Sequence, residues 1–169
     1  MRPRHPLPRR WLMTDERQGG SLFAAIDRLP AGAGIVFRHY SLDEAERRSL
    51  FEQVRQSADD LGLTLVVAGA PVGRADGTHN RACTGLRTFS AHNLREVRRA
   101  ERRGADLIFL SPVFATRSHP GARPLGARRF ARLAGQTNLP VIALGGMNEA
   151  RFRRLRGAYG WAGIDAWSA

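Results

Sequence analysis

Leu139-Pro140-Val141-Ile142-Ala143-Leu144-Gly145-Gly146-Met147-Asn148 is the stretch whose reading decides the fold. Four apolar residues run unbroken from Val141 to Leu144, the composition of a strand covered on both faces by helices, as in a parallel sheet. Two glycines follow at once, and Asn148 stands where it can cap a helix over Glu149 to Arg156. A strand, a Gly-Gly turn and a helix start together make a place where backbone N–H groups can face an anion with no Cβ in the way. The same residues also make an ordinary tight turn with no ligand. The rest of the chain favours the first reading, because it repeats the strand-loop-helix unit.

On the N-terminal side, strands are expected at Trp11 to Thr14, Gly34 to Tyr40, Leu63 to Val67, Asp76 to His79, Leu86 to Ser90 and Leu107 to Leu110. A last strand is expected from Trp161 to Trp167. Between them lie helical patterns: Gly20 to Leu29 with Ser21 as cap, a long helix opened by Ser41 or Asp43 and striped by Leu50, Val54, Ala58 and Leu61, then Leu94 to Gly104 and Ala127 to Ala134. Phe152, Leu155 and Tyr159 stripe the helix after the Gly-Gly turn. Alternation of this kind with short connections predicts a parallel α/β protein, and eight strands predict a small (βα)8 TIM barrel rather than an open sheet. A parallel crossover needs a dozen or more residues. Only ten lie between Val67 and Thr78, and five between Asn80 and Leu86, so helices 3 and 4 should be shortened or missing. Helix 8 should be missing because the sequence stops at Ala169.

The length, 169 residues, suits one domain. We expect a basic flexible arm at residues 1–10 and a single barrel domain at 11–169. The arm lacks the apolar segment of a secretory signal, and no run approaches the ~18 apolar residues of a membrane span. Cys83 is the only cysteine, which fits a cytoplasmic location and excludes a cysteine metal cluster. The formal charge is +12, and all 27 basic residues are arginine. Without lysine there is no Schiff-base or lysine phosphate chemistry. The arginines fall on the polar faces of the predicted helices without interleaved aromatic residues, so a basic nucleic-acid-binding protein is kept only as a third reading, carried by the charge alone.

Taken in order, these pieces resemble the thiamine phosphate synthase/TenI family of small (βα)8 barrels. The residues that carry the resemblance are Ser90-Ala91-His92-Asn93, Ser111-Pro112-Val113-Phe114, Thr116 to Gly121 and Ile142-Ala143-Leu144-Gly145-Gly146, with weaker matches at Leu12 to Asp15 and Asp76 to His79. The resemblance implies thiamine biosynthesis: the synthase joins a pyrimidine diphosphate to a thiazole phosphate and releases pyrophosphate. It therefore implies a small phosphorylated heterocycle as ligand, either thiazole phosphate or thiamine phosphate. It assigns the thiazole phosphate to Gly145, Gly146 and Ser168.

The pyrophosphate half of the family pattern is eroded here. Of the family's Gln-x-Arg-x-Lys after strand two only Arg38 survives, and its Asn-Asp after strand three reads Ala68-Gly69. No Asp or Glu lies between Asp60 and Asp76 or between Asp76 and Glu96. Mg²⁺ is the cofactor the resemblance implies, but its usual carboxylate ligands are missing, so no metal ligand is assigned. The family lysine of the strand-six loop aligns with His119, which makes His119 the catalytic candidate. The TenI branch carries a histidine before Val113, where this chain has Pro112. His39 and His92 fall at the expected barrel mouth and are candidate acid/base groups. Ser90, Thr116 and Ser118 are candidate hydroxyl contacts to heterocycle or phosphate. The expected gaps in the helical layer suggest a homodimer that covers them.

Overall fold

The computed structural model describes residues 6–116, 121 and 123–167. Eight strands, β1 (Arg10–Met13), β2 (Gly34–Phe37), β3 (Thr64–Ala68), β4 (Gly77–His79), β5 (Leu86–Ala91), β6 (Leu107–Leu110), β7 (Val141–Leu144) and β8 (Gly160–Gly163), pair in parallel in that order and close into a barrel. Closure is made by Arg10, Trp11 and Leu12 of β1 against Trp161, Ala162 and Gly163 of β8. Among the described residues five α-helices lie outside: α1 (Leu22–Asp27), α2 (Glu44–Asp60), α3 (Leu94–Arg102), α4 (Gly126–Ala134) and α5 (Glu149–Arg154). No α-helix follows β3 or β4 among the described residues, and a short 3₁₀ turn at Asp165–Trp167 follows β8. This is the small (βα)8 barrel with the expected gaps.

Alternate residues of a strand face opposite sides of a sheet. Trp11, Met13, Val36, Val66, Ala68, Leu107, Phe109, Ile142 and Ala162 accordingly fill the barrel as one buried cluster. The intervening residues face outward, Leu12, Ile35, Phe37, Leu65 and Val67 with residues of α1 and α2, and Phe89, Ile108, Leu110, Val141 and Ala143 with residues of α3 and α4. Inside the barrel, Trp11 pairs in register with Gly34, and a Cβ there would stand 2.3 Å from the indole ring. The small residue makes room for the large one.

Where helices are missing, other residues cover the wall. The outward side chain of β4 is Thr78, which donates to the Arg81 carbonyl at 2.8 Å and needs no apolar cover. Val72, in the loop from β3 to β4, is buried beside Leu65 and Val67. Asp76 ties that loop down: its Oδ2 accepts from Leu65 N at 2.7 Å and from Arg55 at 2.9 Å. After β8, Trp167 stacks on Trp161 at 4.7 Å and donates its indole N–H to the Trp11 carbonyl at 3.0 Å. Among the described residues only Tyr40 and Leu61 are exposed large hydrophobics. At these places residues of the chain itself lie against the barrel wall.

Several boundaries differ from expectation. The Trp161 to Trp167 stretch is strand only to Gly163, because the chain then turns inward to seat Trp167. Tyr159 lies beyond the end of α5, and its hydroxyl donates to the Leu7 carbonyl. Residues 7–10 are not a free arm: Trp161 N donates to the Arg9 carbonyl and Trp11 Nε1 to the Pro8 carbonyl, and Arg10 begins β1. Asp43, not Ser41, caps α2 by accepting from Glu46 N. Ser21 makes no side-chain cap bond. The buried face of α2 is Arg47, Phe51, Val54, Arg55 and Ala58, so it includes two arginines and leaves Leu61 outside.

Candidate functional site

The cavity lies at the carboxyl ends of the strands. It has a volume of about 160 Å³ and is lined by Arg38, His92, Ser111, Pro112, Thr116, the Leu144–Met147 turn and the Gly163–Ala166 turn. The loops after the adjacent seventh and eighth strands therefore both border it, the place where barrels commonly hold a phosphate.

Backbone geometry fixes the Gly-Gly turn. Gly145 and Gly146 have φ of 98° and 59°, left-handed values that favour glycine. A Cβ on Gly145 would stand 2.8 Å from Pro112 Cα, and one on Gly146 2.6 Å from the Ala115 carbonyl oxygen. Both glycines are thus needed to let the turn pack on the loop after β6. Phe114 N donates to the Gly145 carbonyl at 3.1 Å, Val113 N to the Leu144 carbonyl at 2.9 Å, and Arg151 to the Gly146 carbonyl. Asn148 caps α5 as expected, accepting from Arg151 N at 2.9 Å, but the helix is only six residues long.

Arg38 follows β2 and reaches the cavity. Its Nε donates to the Thr14 carbonyl at 2.8 Å and its Nη2 to Asp15 at 3.2 Å. Burial pulls the Arg38 pKa below its ordinary value, opposed by the Asp15 charge. Burial alone would raise the Asp15 pKa, but hydrogen bonds from Arg17 and the charges of Arg17 and Arg38 hold it below the usual range. Arg38 is thereby oriented by a paired carboxylate while still facing the cavity.

The other candidates divide. Thr116 and His92 line the cavity with Arg38, Gly145 and Gly146. His92 is held by Glu96, whose Oε2 lies 2.8 Å from the ring Nδ1 and accepts from His92 N at 2.7 Å. His39 is not at the cavity. It is buried, stacked on Phe37 at 5.1 Å, with Nδ1 3.1 Å from Thr14 Oγ1, and burial lowers its pKa. Ser90 is also away from the cavity lining, hydrogen-bonded to Asn80 at 2.8 Å and lying 3.3 Å from His79 Nε2. His119, Ser118 and Ser168 lie outside the described residues.

His79 was not singled out by the sequence as a buried titratable group. Alternation along β4 places it inward, edge-on to Phe109 at 5.4 Å, with Nδ1 3.0 Å from Thr88 Oγ1. Burial, helped by the Arg38 charge, pushes its pKa down to about 4. The unfolded chain takes up this proton near 6.5 and the folded chain only near about 4. Stability from the neutral ring is therefore complete above about 6.5 and is lost as pH falls through that window. Urea titrations between those limits should show a stability that rises with pH, with a smaller slope in His79→Gln. An equal slope in the variant would assign the effect elsewhere.

A closed parallel barrel with its cavity at the strand C-termini, bounded by the loops after the seventh and eighth strands, places the chain in the (βα)8 class, whose sites commonly lie at that face. A family model described as thiamine monophosphate synthase matches residues 85–167. The chain is 33% identical to the putative thiamine-phosphate synthase 2 of Aquifex aeolicus over 94% of its own length and 97% of the relative's. It is 30% identical to the thiamine-phosphate synthase of Chloroflexus aurantiacus, over 84% and 76% respectively. The thiamine phosphate pyrophosphorylase structure from Pyrococcus furiosus superposes with a TM-score of 0.78 at 22% identity, covering 96% of this chain and 88% of that one, and supports the fold. The chain belongs to the thiamine phosphate synthase/TenI family.

The Mg²⁺ that this family implies does not fit the residues present at the end of β3. Ala68 and Gly69 bring no side-chain oxygen, and the carbonyls of Ala68, Gly69 and Ala70 all accept from arginine guanidinium groups. Among the described residues no three His, Cys, Asp or Glu side chains converge.

Proposed function

We propose that the chain is a thiamine phosphate synthase/TenI-like protein of thiamine biosynthesis that binds a phosphorylated thiazole at the barrel mouth. The observation that carries this reading is the cavity itself. The Gly145-Gly146 turn, the Gly163–Ala166 turn and the positively charged Arg38 all line it. The phosphate sits between the two turns, and the ring extends toward Pro112 and Thr116. A cytoplasmic location accords with small-molecule biosynthesis, and no helix among the described residues is long and apolar enough to cross a membrane.

The end of β3 favours a second reading for the chemistry: a barrel that holds thiazole phosphate or thiamine phosphate without joining the two halves efficiently. Departing diphosphate develops charge that must be neutralised, and the oxygen ligands for a metal are not offered there. Calorimetry with thiazole phosphate tests the binding, and turnover with the pyrimidine diphosphate tests the joining. We expect saturable, one-to-one binding of thiazole phosphate. Absence of binding at millimolar ligand would sink the reading.

A further inference from the structure

We propose that the rim formed by the ends of β2, β3 and β4 meets an anionic group with arginine alone, in place of a divalent cation. This inference rests on the reading of the cavity as a site for phosphorylated ligands.

The oxygen atoms that the end of β3 offers are backbone carbonyls, and each is engaged. Arg47 donates from Nη2 to Ala68 O at 2.8 Å, from Nη1 to Ala70 O at 2.9 Å and from Nε to His39 O at 2.7 Å. Arg81 donates from Nη1 to Gly69 O at 2.8 Å. These are well-formed bonds that occupy the strand end with two guanidinium groups. Arg47 is only 8% exposed, stands over the Phe37 ring at 5.4 Å, and has no carboxylate partner among the described residues. Its positive charge is therefore fixed beneath the rim and not cancelled locally.

Magnesium demands near-octahedral oxygen ligation and sheds its own water reluctantly. Here it would have to displace guanidinium groups from the carbonyls and then endure their charge. The carboxylates nearest in sequence to the β1 end do not supply an alternative. Asp15 is held by Arg17 and Arg38, and Glu16 accepts from Ser41.

For an anion the same rim is favourable. Arg38 uses Nε and Nη2 internally, and Arg81 uses Nη1, which leaves further N–H groups without a partner among the described residues. A planar guanidinium pairs with phosphate oxygens through two parallel hydrogen bonds, which a metal-free site can exploit. The ligand class is a diphosphate, free or carried by a heterocycle. No covalent step is implied.

The test is calorimetric titration of the full chain with inorganic pyrophosphate, in EDTA and again with Mg²⁺, with thiazole phosphate titrated in parallel. We expect pyrophosphate to bind in EDTA and Mg²⁺ to bring no tightening. Arg81→Met, at an exposed position, should weaken pyrophosphate by roughly tenfold, about 1.4 kcal/mol, and leave thiazole phosphate unchanged. A tenfold tightening by Mg²⁺, or a bound Mn²⁺ seen by electron paramagnetic resonance of the free protein, would overturn the inference. So would failure of pyrophosphate to bind under either condition. In that case the parallel thiazole phosphate titration shows separately whether the reading of the cavity survives.

Discussion

Replacing Ala166 with aspartate should weaken thiazole phosphate binding by roughly ten- to hundredfold, about 1.4–2.8 kcal/mol. Ala166 lines the same cavity as Gly145 and Gly146, on the turn after β8. It is exposed, so the substitution adds charge without disturbing packing. Asp165 already lies on this turn, near enough to Arg17 to raise the arginine's pKa together with Asp15. A second carboxylate at 166 would add negative charge to the lining of the cavity that holds the ligand's phosphate. Gly146 is a poorer place for this experiment. Its φ of 59° and the 2.6 Å approach to the Ala115 carbonyl mean that any side chain there perturbs the loop as well as the ligand. Calorimetry on Ala166→Asp, with a thermal melt to show that the barrel is intact, decides the matter. Unchanged affinity would place the phosphate elsewhere.

The largest effect on stability is expected at Phe109. The ring is fully buried at the centre of the barrel, edge-on to Trp11 at 5.3 Å and to His79 at 5.4 Å. Phe109→Ala should cost about 3–5 kcal/mol, a large share of the roughly 5–15 kcal/mol that holds a domain folded. A closed ladder of eight strands cannot contract to refill the space, so the cavity contribution should be near its upper end. Urea unfolding monitored by tryptophan fluorescence measures it. A loss below about 1 kcal/mol would mean that Trp11 and Met13 repack into the gap.

Much of the architecture could be read from the chain because its strands carry their signal locally. Val141 to Leu144 and Leu107 to Leu110 are apolar on both faces, and the short connections after Val67 and Asn80 left no room for helices. The reading failed where polarity and position disagree. Arg47 and Arg55 look like surface residues by hydropathy, yet they are buried: carbonyls take the Arg47 donors, and the carboxylates of Asp59 and Asp76 pair with the two Nη atoms of Arg55, whose Nε has no partner among the described residues. His79 sits inside the barrel because β4 alternates about Thr78, a pattern too short to weigh against its polarity. At the mouth, Arg38, His92, Thr116, Gly145 and Gly146 were legible as a set and do share one cavity. His39 and Ser90 were not separable from them, since whether a side chain at a strand end points into the mouth or behind it depends on tertiary contacts such as that with Thr14 or Asn80.

The seam between β1 and β8 also says something about how the chain must be made. Its first strand finds one of its two neighbours only at Trp161–Gly163, so ring closure has to wait until about 150 further residues have been made. At about 5–20 residues per second of synthesis, the nascent β1 edge stands open for roughly 8–30 s. An open edge invites pairing with other chains. Pro8, which cannot donate to a ladder, and the charged Arg9 and Arg10 stand at the start of that edge. Residues that tie down the barrel floor in the finished molecule would thus guard the unfinished one against joining its neighbours on the ribosome.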